Sequence, residues 1–189
     1  MKNNISLSAP ITLLVLSASF LLGAGSLLEK DIAEEISNEK TQRLYIDLTS
    51  FTPLSDAVFD SVEFRESTLK VVAYYKSSCS ICVGELLQWK SIWKEIVDEL
   101  NLPVLLITRG KSFEDAQYSA LNVIKFPYPL FYDPENVFWM TNEIPIENNG
   151  DTYLIDQQNR VLFQGDVAMH ESNLKKFKKA VRKYRKSNG

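Results

Sequence analysis

Cys79 and Cys82 are the only cysteines in 189 residues, and they stand three positions apart in the run Lys70-Val-Val-Ala-Tyr-Tyr-Lys-Ser-Ser-Cys-Ser-Ile-Cys-Val-Gly-Glu85. Two thiols at this spacing can close into a disulfide and open again, moving two electrons each time. Helical residues three apart face the same way with Cβ atoms about 5–6 Å apart. A disulfide asks for about 3.5–4.5 Å, which a small adjustment at a helix start supplies. Unsatisfied N–H groups and the positive dipole end at such a start favour a thiolate. They can bring a cysteine from ~8.5 into the range of about 3.5–7.5. Cys79 is then the attacking thiol and Cys82 the resolving one, which releases a mixed disulfide. A structural zinc site wants four ligands, and beyond this pair the chain offers one histidine, His170, far along the sequence. His170 precedes the last predicted helix and reads as a surface or cap residue. The loop between the cysteines is too short to staple distant segments, so the alternative to chemistry is two inert thiols in a helix.

The elements around the pair fit a strand that hands over to a helix. Val71 to Tyr75 is apolar and rich in β-branched and aromatic residues, which predicts a buried strand. Leu86, Trp89, Trp93, Ile96, Val97 and Leu100 fall on one face of a helix that continues from Cys82. Asn101-Leu-Pro103 ends it, and Val104–Thr108 is the next buried strand. Ser112 with Asp115 resembles an N-terminal capping pair for a helix through Phe113, Ala116, Ala120 and Ile124. Pro127 and Pro129 flank a short extended piece, Leu130–Tyr132. Asp133-Pro134 predicts a helix over about 135–143. Asn148-Asn-Gly150 is a turn, and Thr152–Ile155 with Val161–Gln164 is expected as a hairpin over Asp156–Arg160. Leu174, Phe177, Val181 and Tyr184 stripe a C-terminal helix. Upstream, Tyr45–Leu48 is expected as a strand, and Phe51 to Glu66 as loop or short strand. The order β-α-β-α-β-α-β-β-α predicts an α/β fold: a mixed sheet, parallel at first and antiparallel at the hairpin, with helices on both faces.

Hydrophobic content of 45% and aromatic content of 11% are enough for a sizeable core. The net charge of −3 gives no overall bias toward nucleic acid. Eight of the 21 basic residues, Lys175, Lys176, Lys178, Lys179, Arg182, Lys183, Arg185 and Lys186, crowd the last fifteen positions. Only Phe177 and Tyr184 interleave them, too few for base stacking, so no nucleic-acid partner is expected. A solvated helix face is the simpler account, and contact with anionic lipid headgroups the alternative. At the other end, Lys2 precedes a stretch from Ile5 to Leu28 without a charge, densest in apolar residues over Ile11–Leu22 and followed by Gly23-Ala-Gly-Ser26. Its length suits either a cleaved signal peptide or an uncleaved anchor, with the acidic body outside. The expected organisation is 1–28 signal or anchor, 29–44 a charged helical spacer, and 45–189 the folded domain.

Taken together, Lys70–Glu85, Val104–Thr108, Phe126-Pro-Tyr-Pro-Leu-Phe-Tyr-Asp133 and Thr152–Asp156 resemble a thioredoxin-fold protein. Over about residues 45–186 the chain is most similar to the TlpA/ResA-type thiol-disulfide oxidoreductases of bacterial cell envelopes. The helix and short strand between Thr108 and Asp133 match the central insertion of that family. The resemblance implies reduction or exchange of disulfides in envelope proteins and electrons from a membrane thiol donor; on the ligand count no metal is expected, and no cofactor is expected. It also matches Glu85 to a glutamate near the thiols that helps move protons; the competing account is an exposed first-turn acid complementing the helix dipole. Three positions depart from the family. Ser78 stands where tryptophan usually precedes the first cysteine. Gly150 or Asp151 stands where a cis-proline packs on the dithiol, the nearest proline being Pro145. Ala73 stands where plain thioredoxins bury an aspartate. Ser78, Gly150 and Asp151 are therefore the expected substrate-facing positions. These departures give weight to a non-catalytic binding module of the same fold, against which both cysteines count. A peroxidase would want a lone cysteine beside an arginine, and none is near Cys79 in sequence.

Overall fold

The computed structural model of the chain describes residues 42–77, 80–110, 112–144 and 150–188, with the backbone course alone for 80–82 and 150. The expected signal or anchor, most of the spacer, Ser78, Cys79, Pro145 and the Asn148–Asn149 turn lie outside these residues.

Six strands, β1 (Thr52–Pro53), β2 (Leu69–Lys76), β3 (Val104–Arg109), β4 (Phe131–Tyr132), β5 (Gly150–Asp156) and β6 (Val161–Gly165), form one sheet in the order β1-β4-β3-β2-β5-β6. The β2–β3 and β3–β4 pairs are parallel, as crossover helices require. β5 runs antiparallel to β2 and β6 antiparallel to β5, the expected hairpin. The helices are α1 (Ser61–Glu66), α2 (Ser80–Lys94), α3 (Phe113–Tyr118), α4 (Val137–Thr141) and α5 (Glu171–Asn188). α2 and α3 each end in a π-helical turn, Glu95–Glu99 and Ser119–Val123.

Alternation along the strands splits the core in two. Val71, Ala73 and Tyr75 of β2 face Leu86, Trp89 and Trp93 of α2 and Phe177 and Val181 of α5. Val72 and Tyr74 face Phe64 of α1, Phe138 of α4, Phe51 and Leu44. The helical stripes foreseen for α2 and α5 are the surfaces that become buried. Helices on both faces of a mixed sheet follow directly.

Caps explain where helices begin. Ser112 Oγ accepts from Asp115 N at 3.0 Å and opens α3 as its spacing predicts. Two expectations are corrected. Tyr45–Leu48 is not a strand: the Asp47 carboxylate accepts from Thr49 N and Oγ1, and this Asx turn winds Leu48–Ser50 into a 3-10 turn. Asp133-Pro134 does not open α4 directly. Pro134 sits in a turn, Asn136 takes a left-handed conformation at φ 56°, and the helix is shorter than foreseen. Asp133 still caps it from a distance, accepting from Val137 N at 2.8 Å and Phe138 N at 3.1 Å. In the region read as loop, Asp60 accepts from Val62 N and Glu63 N and starts α1.

Candidate functional site

β2 carries the chain to the dithiol motif. Beyond Lys76, both Ser77 N and Ser77 Oγ donate to Arg109 O, at 2.7 and 2.9 Å, tying the strand exit to the end of β3. α2 begins at Ser80, the residue after Cys79, and holds Cys82 in its first turn. Gly150 pairs with Tyr75 and Asp151 with Tyr74, so the start of β5 lies beside the same strand exit. The sheet therefore gathers Cys82, Glu85, Gly150 and Asp151 at one end, while Ser78 and Cys79 lie outside the described residues. No cis peptide bond occurs among the described residues.

Glu85 is the best-defined group here. It is 5% exposed and lies six residues into α2, not in the first turn, which overturns the exposed dipole-complementing alternative. Its position accounts for this: Glu85, Trp89 and Trp93 follow one another at i, i+4 and i+8, so Glu85 shares the buried stripe. Among the described residues no hydrogen bond reaches its carboxyl. Burial pushes its pKa up to about 8, and the negative charges of Asp166 and Asp151 push the same way. Such a carboxyl holds its proton at neutral pH and exchanges it in the range where a thiol titrates, ~8.5.

Tyr75, which the sequence did not single out, neighbours Glu85. It is buried, its phenol shares a hydrogen bond with the Thr108 side chain, and burial raises its pKa, with Glu85 adding to the effect. Asp151 is half-buried; Gln164 Nε2 donates to its carboxylate at 2.8 Å, and Tyr153 OH donates to it as well. Tyr153 lies two residues on along β5, on the same face, while Gln164 could be guessed only once β6 is set beside β5. An arginine does approach the strand exit in space: Arg109 pairs with Lys76. Its guanidinium stacks over Trp139 at 4.6 Å and Tyr74 at 5.9 Å, on the sheet face away from α2. His170 is 65% exposed on its side chain, and its carbonyl accepts from Asn173 N and Leu174 N as a backbone cap of α5.

No protein-family model matches the sequence, and no curated protein matches it. Solved structures do. The exposed lipoprotein thioredoxin of Streptococcus pneumoniae aligns at a TM-score of 0.53 and 16% identity, over 67% of this chain and 94% of that one. A cysteine-to-serine variant of peroxiredoxin Q from Xanthomonas campestris aligns at 0.53 and 16%, over 75% and 99%. A thioredoxin-like protein solved in its oxidised form aligns at 0.52 and 14%, over 76% and 98%. At these identities the likeness establishes the fold, and the fold is thioredoxin-like.

Proposed function

We propose that the chain is an extracytoplasmic thiol-disulfide oxidoreductase in which Cys79 and Cys82 are the working pair, carried by the domain 45–189. The observation that carries this is Glu85: a buried, proton-holding carboxyl one helical turn beyond Cys82, at the sheet end where the motif begins. A carboxyl with no bonded partner is a poor structural element and a good proton relay.

Cys79 thiolate attacks one sulfur of a partner disulfide. A Cys79–partner bond forms, the partner S–S bond breaks, and the departing thiolate takes a proton. Cys82 then passes its proton to the ionised form of Glu85 and attacks Cys79 Sγ. The Cys79–Cys82 disulfide forms and the second partner thiol leaves, so two electrons have moved to the partner. Exchange in the opposite sense uses the same steps reversed. Ser78, next to Cys79 in sequence, and Gly150 and Asp151, beside the exit of β2, would be the positions that meet an approaching partner chain. The uncharged run Ile5–Leu28 after Lys2 supports export, by signal peptide or anchor, and one structural neighbour is itself described as an exposed lipoprotein. Disulfide-bearing envelope proteins would be the partners, and a membrane thiol protein the electron donor. Among the described residues no helix is long and apolar enough to cross a membrane, so anchoring would fall to that N-terminal run.

A redox titration with an insulin-reduction assay tests the proposal. The pair should cycle between dithiol and disulfide, and Cys82→Ser should trap partners on Cys79 as mixed disulfides. Cysteines that never cycle, with an empty trap in envelope extracts, would leave a binding module of the same fold.

A further inference from the structure

At the other end of β2 from the dithiol motif stands a lysine that proton relay at Glu85 does not use. Lys70 is 4% exposed, a rare state for this side chain. Among the described residues no hydrogen bond or ion pair reaches its ammonium. The carboxylate whose charge acts on it, Asp156, is committed elsewhere: it accepts from Arg160 Nε at 2.6 Å and from Gln158 N and Arg160 N at 2.9 Å. What Lys70 has instead is the Phe64 ring, 5.2 Å from Nζ to its centroid. A buried cation without a counter-ion is costly, and burial holds its pKa below the usual lysine value with Asp156 opposing.

Lys70 lines a cleft of about 230 Å³ with Ile46, Leu48, Phe64, Arg65 and Asp47 among its walls. Leu48, Thr49 and Arg65 are also walls of a second cleft of about 430 Å³, where Pro53, Ala57, Phe59, Leu130 and Phe131 make the lining apolar. A cationic hollow thus adjoins an apolar one across a shared wall. With the adjoining hollow counted, the linings carry two cations, Lys70 and Arg65, and two carboxylates, Asp47 and Asp56, so the pull on an anion is local to the Lys70 ammonium. A single ammonium suits a monoanion and not a phosphate dianion.

We propose that this pair of clefts is a binding site for an organic monocarboxylate, its carboxylate on the Lys70 ammonium and its apolar tail against Phe59 and Phe131. Lys76 at the strand exit stands six positions along β2 from Lys70, roughly 20 Å of extended chain, so the site is separate from the thiol chemistry. The shared chemistry, a carboxylate joined to a branched apolar tail, occurs both in free short-chain acids and at the C-terminus of a peptide ending in an aliphatic residue.

The test is an amide-shift NMR titration of the ¹⁵N-labelled full chain in nonionic detergent with 4-methylpentanoate, 4-methylpentanamide and N-acetylleucine. Saturable shifts centred on Leu48, Phe64 and Lys70 are expected for the two acids, with the amide binding at least tenfold more weakly. N-acetylleucine binding tighter than 4-methylpentanoate assigns a peptide C-terminus as the source; the reverse order assigns a free acid. Lys70→Gln should weaken both acids at least tenfold. Equal binding of acid and amide by the unmodified chain, or no saturable shift with any probe, overturns the site whether or not the variant folds. Cycling of Cys79 and Cys82 is scored separately, so failure here leaves the redox proposal standing.

Discussion

Three carboxyls are buried among the described residues, Glu85, Asp133 and Asp156, and the two at opposite ends of the β2–β5 pair, Glu85 and Asp156, are built to opposite ends. Asp156 closes the β5–β6 hairpin, is 0% exposed, and receives three donors, two backbone N–H groups and the Arg160 guanidinium. Glu85 is 5% exposed and receives none among the described residues. The first is a knot: its charge is consumed by the turn it holds. The second keeps its proton because nothing nearby stabilises its anion, and two acidic neighbours discourage it. Burial alone therefore does not mark a functional acid. The supply of donors distinguishes a carboxyl that holds structure from one that can trade a proton.

The largest expected effect tests the knot. Asp156→Ala strips two backbone N–H groups and the Arg160 guanidinium of their acceptor, and should cost roughly 2–4 kcal/mol in urea unfolding, the donor side being partly solvated. A loss below about 0.5 kcal/mol would mean the three donors are idle, and the contrast with Glu85 would collapse.

Glu85→Gln should move stability the other way. The pKa of Glu85 rises on folding from 4.5 to about 8, so the folded state keeps a proton that the unfolded chain releases. The contribution is fully present below pH about 4.5 and is lost as pH climbs through about 8. At pH 7 the unmodified chain has thereby lost about 3 kcal/mol relative to acid conditions. The glutamine variant does not titrate, so it should be the more stable protein at pH 7 and above, with the difference vanishing near pH 4. Parallel unfolding curves of the two proteins across pH 4–9 would contradict the buried, unpartnered carboxyl. The same substitution should erase an inflection near pH 8 in the rate at which Cys82 resolves a mixed disulfide on Cys79. A middle-sized effect separates helix strength from acid chemistry. Gly84 sits beside Glu85 in α2 with nothing within 4 Å of an added Cβ. Gly84→Ala should add about 0.5–1 kcal/mol of stability and leave the pH dependence unchanged.

How much of this was legible in the sequence follows the same division. Strong periodicity announced β2, β3, α2, α5 and the hairpin, because each is defined by one long apolar pattern. Glu85 stands out in the sequence only through the family resemblance; its burial follows from standing four residues before Trp89, which the apolar pattern beginning at Leu86 does not mark. Short polar devices were not legible. Asp47 turned an apparent strand into a 3-10 turn, Asp60 nucleated α1 in a stretch that reads as loop, and Asp133 capped α4 from beyond Pro134. Asp60 followed by Glu63 is the capping signature of α1 in the sequence. Lys70 and Asp151 depend on what neighbouring strands and α1 bring to them, and no local pattern encodes that.

The smallest effect asks what sets the proton affinity of Glu85. Burial is the leading cause and the Asp166 charge the second. Asp166→Asn removes that charge while keeping an oxygen to accept from Met169 N, a bond of 2.8 Å that helps fix the turn before α5. Asp151 is a less clean target, because Gln164 and Tyr153 both depend on its carboxylate. The Asp166 variant should therefore lower the Glu85 midpoint, read by carboxyl ¹³C NMR, by about half a pH unit, equivalent to about 0.7 kcal/mol. A fall of several units would mean that neighbouring charge, not exclusion from water, governs Glu85. The contrast with Asp156 would then rest on which charges each carboxyl faces, and the number of donors would be secondary.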